Sequence, residues 1–246
     1  SPLLVSYDIL KLPIGTFSVS SLALQGKYLF KVVGSYITMG VVLTILAIGA
    51  AVATFVENDF GTHLARHYVY NAIWYEAFLT LGALNIAVVL YRTGMIKHLA
   101  KFTFHGAFIL ILIGSGLTRY FGVEGTMKIR EGSTASTLYS NDKQSDITLP
   151  FALKLTKFEM ERYYGSNAPS AYQSFVVVKD GATEFDYTIS MNHTLSYKGY
   201  KFFQTFYDPD EKGTILSVNK DPGMEVTYLG YALLFLGLIL NLFDGK

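Results

Sequence analysis

Four segments of this chain are long and apolar enough to cross a membrane, and they constrain its fold more than any other feature. They cover residues 32–56, 72–91, 102–118 and 226–243. An α-helix of about 20 mainly apolar residues spans the hydrocarbon core of a bilayer. The hydrophobic fraction of the whole chain, 51%, agrees with a membrane protein. The sequence therefore predicts four transmembrane helices, three together and one near the carboxyl end.

The charges beside these segments predict the side of the membrane that each loop occupies, because short cytoplasmic loops carry an excess of Lys and Arg. The loop between the first and second segments contains Glu57 and Asp59 against Arg66. Basic residues precede the first segment, lie between the second and third segments, and follow the fourth. We therefore expect these parts, and both termini, to lie in the cytoplasm. These basic residues are Lys27, Lys31, Arg92, Lys97, Lys101 and Lys246.

The region between the third and fourth segments, residues 121–224, is predicted to form one extracytoplasmic domain. Alternating apolar residues place one set of side chains on a single strand face. These residues are Leu149, Phe151, Leu153 and Leu155. Further candidate strands are 174–179, 184–190, 200–207 and 214–219. Asp180-Gly181, between the first two, is typical of a hairpin turn. We expect an antiparallel sheet or a small sandwich.

The predicted fold is a membrane α-helical bundle, with four transmembrane helices arranged three plus one and an inserted, mainly β extracytoplasmic domain. Its parts are residues 27–120 with the first three helices, 121–224 with the β domain, and 225–246 with the last helix. Residues 1–26 mix apolar side chains with charges and two prolines. An interfacial segment, a cytoplasmic extension and the remnant of an expression tag remain open for this leader.

Composition excludes several functions. The chain has no cysteine, so it has no disulfides, no cysteine-ligated iron–sulfur cluster and no thiol catalysis of its own. Its formal net charge of +1 argues against nucleic acid, which demands a concentrated basic face. We predict no catalytic residue, because no phosphate-binding loop, zinc-protease motif or nucleophile elbow is present.

His105 is the main candidate site residue, because an imidazole within an apolar span is expensive unless it bonds to something. At ~1.5 Å per residue it lies ~6 Å from the flank at Lys101 and ~21 Å from the flank at Arg119. Two interpretations remain open: a packing histidine that bonds a neighbouring helix, and an axial ligand to haem iron. No other span offers a second imidazole. The other histidines are His63, His67, His98 and His193.

Glu76 and Arg119 stand at the outer ends of the second and third spans. They are either interfacial charges, with Glu76 paired to Arg66 or Arg119, or groups that position the outer loops or a partner subunit. His63 and His67 share the i, i+4 spacing of one helical face, but a metal site there would need a helix and a third ligand.

Several motifs resemble those of the ResB/CcsB proteins of System II cytochrome c maturation, including the amino-terminal half of fused CcsBA synthases. The resemblance covers residues 27–246. Its most specific parts are ATFVENDFGT (53–62), YNAIWYE (70–76), the third span with its exit TRYFGVEG (118–125), IREG (129–132), NHTLSYKGYKFFQ (192–204) and DPG (221–223).

The resemblance implies a haem-handling protein of the bacterial inner membrane that works with a CcsA/ResC partner. Haem b would be held between one histidine of this chain and one of the partner, and then joined to the CXXCH cysteines of apocytochrome c in a lyase reaction. His105 matches the family's transmembrane histidine, the ligand to the haem iron. Other implied partners are thioredoxin-like thiol reductants and membrane lipid.

Alternative functions are a membrane-anchored scaffold in which His105 is structural, and a haem subunit of an electron-transfer complex. The second is disfavoured because the chain has no intramembrane histidine pair. For the β domain we expect a surface that docks apocytochrome or braces an outer haem site, using the aromatic residues of 197–207. The alternative for those aromatics is ordinary strand core.

Overall fold

The computed structural model describes residues 19–140 and 143–244. Most of the predicted leader therefore lies outside the described residues, and its last part belongs to the first helix. The helices of the described chain are α1 (Val19–Val33), α2 (Tyr36–Phe60), α3 (Thr62–Ala65), α4 (Ile73–Arg92), α5 (Leu99–Phe121) and α6 (Met224–Phe243). A π-helical turn, Arg66–Tyr70, follows α3, and a short 3-10 turn, Met95–Lys97, precedes α5.

Among the described helices, α2, α4, α5 and α6 are long and apolar enough to cross a membrane. This confirms the four predicted apolar helices. At most 17% of the most apolar stretch of each helix is buried. Large apolar side chains such as Ile37, Phe55 and Phe235 are instead exposed, so these helices need an apolar surrounding.

The first span begins later than the sequence predicted, at Tyr36 rather than at residue 32, and continues to Phe60. The reason is a helix boundary that hydropathy does not detect. The Ser35 hydroxyl oxygen accepts a hydrogen bond from the Thr38 amide at 3.0 Å and caps a new helix. Residues 32 and 33 consequently belong to α1.

The strands form one eight-stranded antiparallel sheet within the described chain, in the order β5-β4-β3-β2-β1-β8-β7-β6. This confirms the antiparallel sheet and not the sandwich. The strands are β1 (Val123–Arg130), β2 (Thr134–Ser140), β3 (Ser145–Arg162), β4 (Pro169–Asp180), β5 (Thr183–Ser190), β6 (Leu195–Tyr197), β7 (Tyr200–Tyr207) and β8 (Gly213–Lys220). The Asp180-Gly181 turn joins β4 and β5 as predicted, with Gly181 at φ +59°.

The sheet curls around a single core, and its two end strands approach each other without being hydrogen-bonded neighbours. The Tyr187 hydroxyl donates to the carbonyl oxygen of Thr194 at 2.9 Å. The rings of Phe185 and Tyr197 lie 5.5 Å apart, edge to face. All four residues of the predicted apolar face on β3 are buried. The core also includes Met127, Ile129, Val176, Val178, Phe202, Leu216 and Val218.

The chain divides into two compact units, residues 1–109 with 233–246 and residues 110–232. The division falls inside α5 and α6, so each helix contributes to both units. In the first unit α6 comes so close to α5 that a Cβ added at Gly237 would lie 2.6 Å from the Cα of Phe104. Asn241 also donates from Nδ2 to the carbonyl oxygen of Ala100 at 3.3 Å.

In the second unit a tight joint connects α5 with the segment that precedes α6. The Thr118 hydroxyl donates to Asp221 Oδ1, which also accepts from the Gly223 amide at 3.1 Å. A Cβ added at Gly223 would lie 2.8 Å from the carbonyl carbon of Gly114. Beside this joint β1 pairs with β8 from Val123↔Lys220 onward. The strands that enter and leave the sheet domain are thus neighbours.

A carboxylate connects two turns of the sheet domain. Asp180 pairs with Lys198 and accepts a hydrogen bond from the Tyr197 hydroxyl at 2.8 Å. The Lys198 ammonium, and secondly Tyr197, hold the pKa of Asp180 below its usual range. Arg130, and secondly the Lys212 amide, do the same for the pKa of Asp210.

We therefore expect the sheet domain to lose stability in acid. A carboxylate whose pKa is lowered by folding stabilises the folded state above its unfolded pKa, about 4, and this stabilisation is lost as the pH falls through the folded pKa. Circular dichroism of the detergent-solubilised protein should show a lower melting temperature at pH 3 than at pH 7. Asp180→Asn should reduce this difference, whereas Asp186→Asn should not. Equal acid sensitivity of Asp180→Asn and the unchanged protein would contradict the expectation.

Candidate functional site

His105 lies in the amino-terminal third of α5, and a hydrogen bond to its own helix orients its ring. Nδ1 lies 2.9 Å from the carbonyl oxygen of Lys101, one turn earlier. Because a carbonyl oxygen can only accept, this bond requires the proton on Nδ1. In a neutral imidazole the lone pair is then on Nε2, the atom that can bind a metal ion. No described residue hydrogen-bonds to Nε2.

The face of α5 that carries His105 is open. Lys101, Phe102 and Phe108 are exposed, and the His105 side chain is half-buried. Phe104 contacts the imidazole edge to face, with the ring centroids 5.2 Å apart. We call Lys101, Phe102, His105 and Phe108 the ligand face.

Helix α6 does not cover the ligand face. Its contacts with α5 in this unit are made at Ala100 and Phe104. At 100° per residue, Ala100 and Phe104 lie roughly 100–140° around the helix from His105. His105 therefore points away from the contacts that α5 makes with α6.

The other histidines do not supply a second ligand at this depth, because none of them lies in a candidate membrane span. His63 is exposed in α3, and His67 is in the π-helical turn with its ring 4.9 Å from that of Tyr68. His98 follows the 3-10 turn before α5. His193 stacks on Tyr187 in the sheet domain, with the ring centroids 5.0 Å apart.

Metal binding at His63 and His67 has no support in this structure. The π-helical turn begins between the two residues, so they do not share one continuous α-helical face. In the part of the chain that the structure describes, no three His, Cys, Asp or Glu side chains are grouped to hold a metal ion.

Glu76 and Arg119 occupy helix ends, as the sequence predicted. Glu76 is half-buried in the first turn of α4, and Arg119 is exposed in the last turn of α5. An acid near an amino end and a base near a carboxyl end both interact favourably with the helix dipole. Their functional role stays a prediction.

Sequence reasoning missed Asn85, a polar residue in the middle of the second span. It is 1% exposed and donates from Nδ2 to the carbonyl oxygens of Val33 and Ser35, the latter at 2.9 Å. Arg92 on the same helix donates to the carbonyl oxygens of Lys31 and Gly34. Asn85 and Arg92 thus satisfy backbone carbonyl oxygens where α1 ends and α2 begins. Carbonyl oxygens without a donor are costly in an apolar surrounding. A lone amide within an apolar run was the available signal.

The aromatic residues of the predicted surface, 197–207, differ in their exposure to solvent. Tyr200 and Phe202 are 7% and 0% exposed and belong to the core. Phe203 and Phe206 are 39% and 56% exposed. Tyr197 and Tyr207 are partly buried and pack against the same core. The core interpretation is therefore correct for Tyr200 and Phe202, whereas Phe203 and Phe206 are exposed.

These features define a class: a membrane protein of apolar helices with an inserted antiparallel sheet domain and one imidazole on an open helix face. The chain belongs to the ResB-like family, whose pattern it matches over residues 87–215. This is the ResB/CcsB family of System II cytochrome c biogenesis, which the sequence motifs predicted.

Two known proteins are similar to this chain. Over an alignment 317 residues long it is 40% identical to protein NrfI of Wolinella succinogenes, with 88% of this chain and 35% of NrfI covered. Among solved structures it is similar to the cytochrome c haem lyase CcmF, at 12% identity and a TM-score of 0.39, with 80% of this chain and 33% of CcmF covered. The chain thus spans about a third of the length of either protein.

Proposed function

We propose that this chain is the CcsB/ResB component of a System II cytochrome c synthase. It takes haem from the cytoplasm, carries it through the membrane and supports its thioether attachment to the CXXCH cysteines of apocytochrome c, together with a CcsA/ResC partner. The observation that carries the proposal is His105, whose Nδ1 donates a hydrogen bond to the carbonyl oxygen of Lys101 and whose Nε2 is presented on an open, mainly apolar face. Membership in the ResB-like family gives this imidazole its context.

The residues present fit haem as a cargo. Haem iron binds neutral imidazole, and the hydrogen bond at Nδ1 selects the tautomer that offers Nε2. Phe102 and Phe108 provide apolar surface beside the ligand for the macrocycle. The chain has a single histidine in its candidate spans, so the second axial ligand comes from the partner.

The depth of His105 suits uptake from the cytoplasm. It lies one helical turn beyond Lys101, close to the basic flank of α5. Haem can be ligated there without its two carboxylates first crossing the hydrocarbon core, where a charge is expensive. In this proposal both termini are cytoplasmic, residues 27–120 and 225–246 form the membrane part, and residues 121–224 form the domain on the outer side.

Attachment of haem on that side adds each cysteine thiol across a vinyl group to form a thioether. This chain has no cysteine, so the thiols come from apocytochrome c and their reduction from thioredoxin-like proteins. The complete reaction requires the complex of this chain with CcsA. We propose that the exposed Phe203 and Phe206 of β7 contact a partner on the outer side.

The test is to purify the protein with and without its CcsA-type partner and to record visible spectra. We expect haem in the complex, with the spectrum of two histidine ligands, and much less haem in this chain alone. Haem absent from both preparations, with cytochrome c maturation intact, would favour the scaffold function instead.

A further inference from the structure

We propose that Lys101 binds a haem propionate, so that the chain recognises the carboxylate edge of haem as well as its iron. The inference rests on the proposed ligand role of His105 and adds a second contact, of opposite charge to the propionates. It concerns one side chain, the exposed ammonium of Lys101 on the ligand face.

The geometry of α5 brings the two groups together. Lys101 and His105 are four residues apart, the spacing at which side chains lie on the same helix face about 5–6 Å apart at Cβ. The bond from Nδ1 to the Lys101 carbonyl oxygen, at 2.9 Å, holds the imidazole over the turn that carries the lysine. A flat ligand held at Nε2 therefore has an ammonium group on its cytoplasmic side.

The Lys101 ammonium forms no ion pair within 4 Å in the described chain. No described carboxylate pairs with its ammonium group, and α5 itself contains no Asp or Glu. The loop between α4 and α5, residues 93–98, adds Lys97 and His98 but no acid. An unpaired cation at the edge of an apolar region attracts an anion, and the dianionic edge of haem is the anion that this site would meet.

Lipid phosphate offers the same chemistry, an anionic oxygen at the membrane surface. The two sources differ in one respect: a propionate is part of the ligand that His105 holds, so its contribution disappears when the carboxylates are esterified. A lipid contact does not depend on the chemistry of the haem edge.

The experiment compares haem with haem dimethyl ester. Binding of each to the complex with the CcsA-type partner in nanodiscs is followed by visible absorbance, for the unchanged protein, Lys101→Met, Lys101→Arg and the control Lys97→Met. Lys97 is also exposed and basic, but lies one turn farther from His105. We expect Lys101→Met to weaken haem binding about tenfold, the size of one charge-assisted hydrogen bond, and to leave ester binding unchanged.

Lys101→Arg, which keeps the charge, should retain the preference for haem over its ester, and Lys97→Met should behave like the unchanged protein. Equal effects of Lys101→Met on haem and ester, or no effect on either, would overturn the propionate contact and leave lipid as the partner of Lys101. The proposed function is tested separately by His105→Gly, which should lose the binding of both haem and its ester.

Discussion

Glycine in place of His105 is expected to remove nearly all haem from the purified complex. Glycine deletes the proposed ligand without adding bulk, so the apolar residues of the ligand face remain in place. In the proposed site only the partner's axial ligand would remain, which would bind iron less tightly and give a different spectrum. Haem per protein and the position of the visible bands measure the effect directly.

Free imidazole provides the decisive second measurement. It fits the volume that the side chain has vacated, so added imidazole should restore haem content and the original spectrum of His105→Gly. Gly106→Ala is the matched control, because it changes the adjacent residue at a position where a Cβ meets nothing within 4 Å. A His105→Gly protein with unchanged haem, spectrum and maturation activity would refute the ligand assignment.

Alanine in place of Gly223 is expected to destabilise the joint between α5 and the end of the sheet domain by about 3 kcal/mol, the upper part of the range for overpacking. The added Cβ would lie 2.8 Å from the Gly114 carbonyl carbon, and backbone cannot move aside as a flexible side chain can. Any backbone movement that relieves this clash would also strain the hydrogen bond from Thr118 to Asp221.

Gly116→Ala is the control for this substitution, because Gly116 lies in α5 two residues after Gly114, and an added Cβ there meets nothing within 4 Å. Alanine also favours a helix over glycine. Thermal unfolding in detergent should therefore show a clear decrease in melting temperature for Gly223→Ala, and little change or a small increase for Gly116→Ala. Equal melting temperatures for the two variants would show that the close approach does not constrain the fold.

Hydropathy predicted most of the helical part of the fold, because length and apolarity are local properties of a segment. The second span was placed within one residue at each end, as Ile73–Arg92. The start of the first span was predicted too early, because the helix begins at the Ser35 cap. That cap depends on one hydroxyl group and not on average hydropathy.

Alternation on β3 was equally local, and it was correct up to Leu155. Beyond it the pairing register shifts between Leu155 and Lys157, and the next buried residue is Phe158. A β-bulge inserts an extra residue and changes which face later side chains occupy. Its position depends on the partner strand and therefore could not be deduced from β3 alone.

The candidate site at His105 could also be predicted only in part from the sequence. His105 was identified from sequence because a polar residue in an apolar run is conspicuous by itself. Its tautomer depends on a distance to Lys101 that only coordinates provide, and the contact between Gly114 and Gly223 joins residues more than 100 positions apart. Long-range contacts of that kind leave no local pattern.

Because β1 pairs with β8 and Thr118 contacts Asp221, the chain enters and leaves the sheet domain at adjacent positions. Its two chain ends leave side by side, so the loop that it forms between α5 and α6 is closed at its base. The entropy of closing a loop grows only slowly with length, so another domain with adjacent ends fits the same two helices at little cost. The sequence of the inserted domain can therefore change without a change in the helices that carry it.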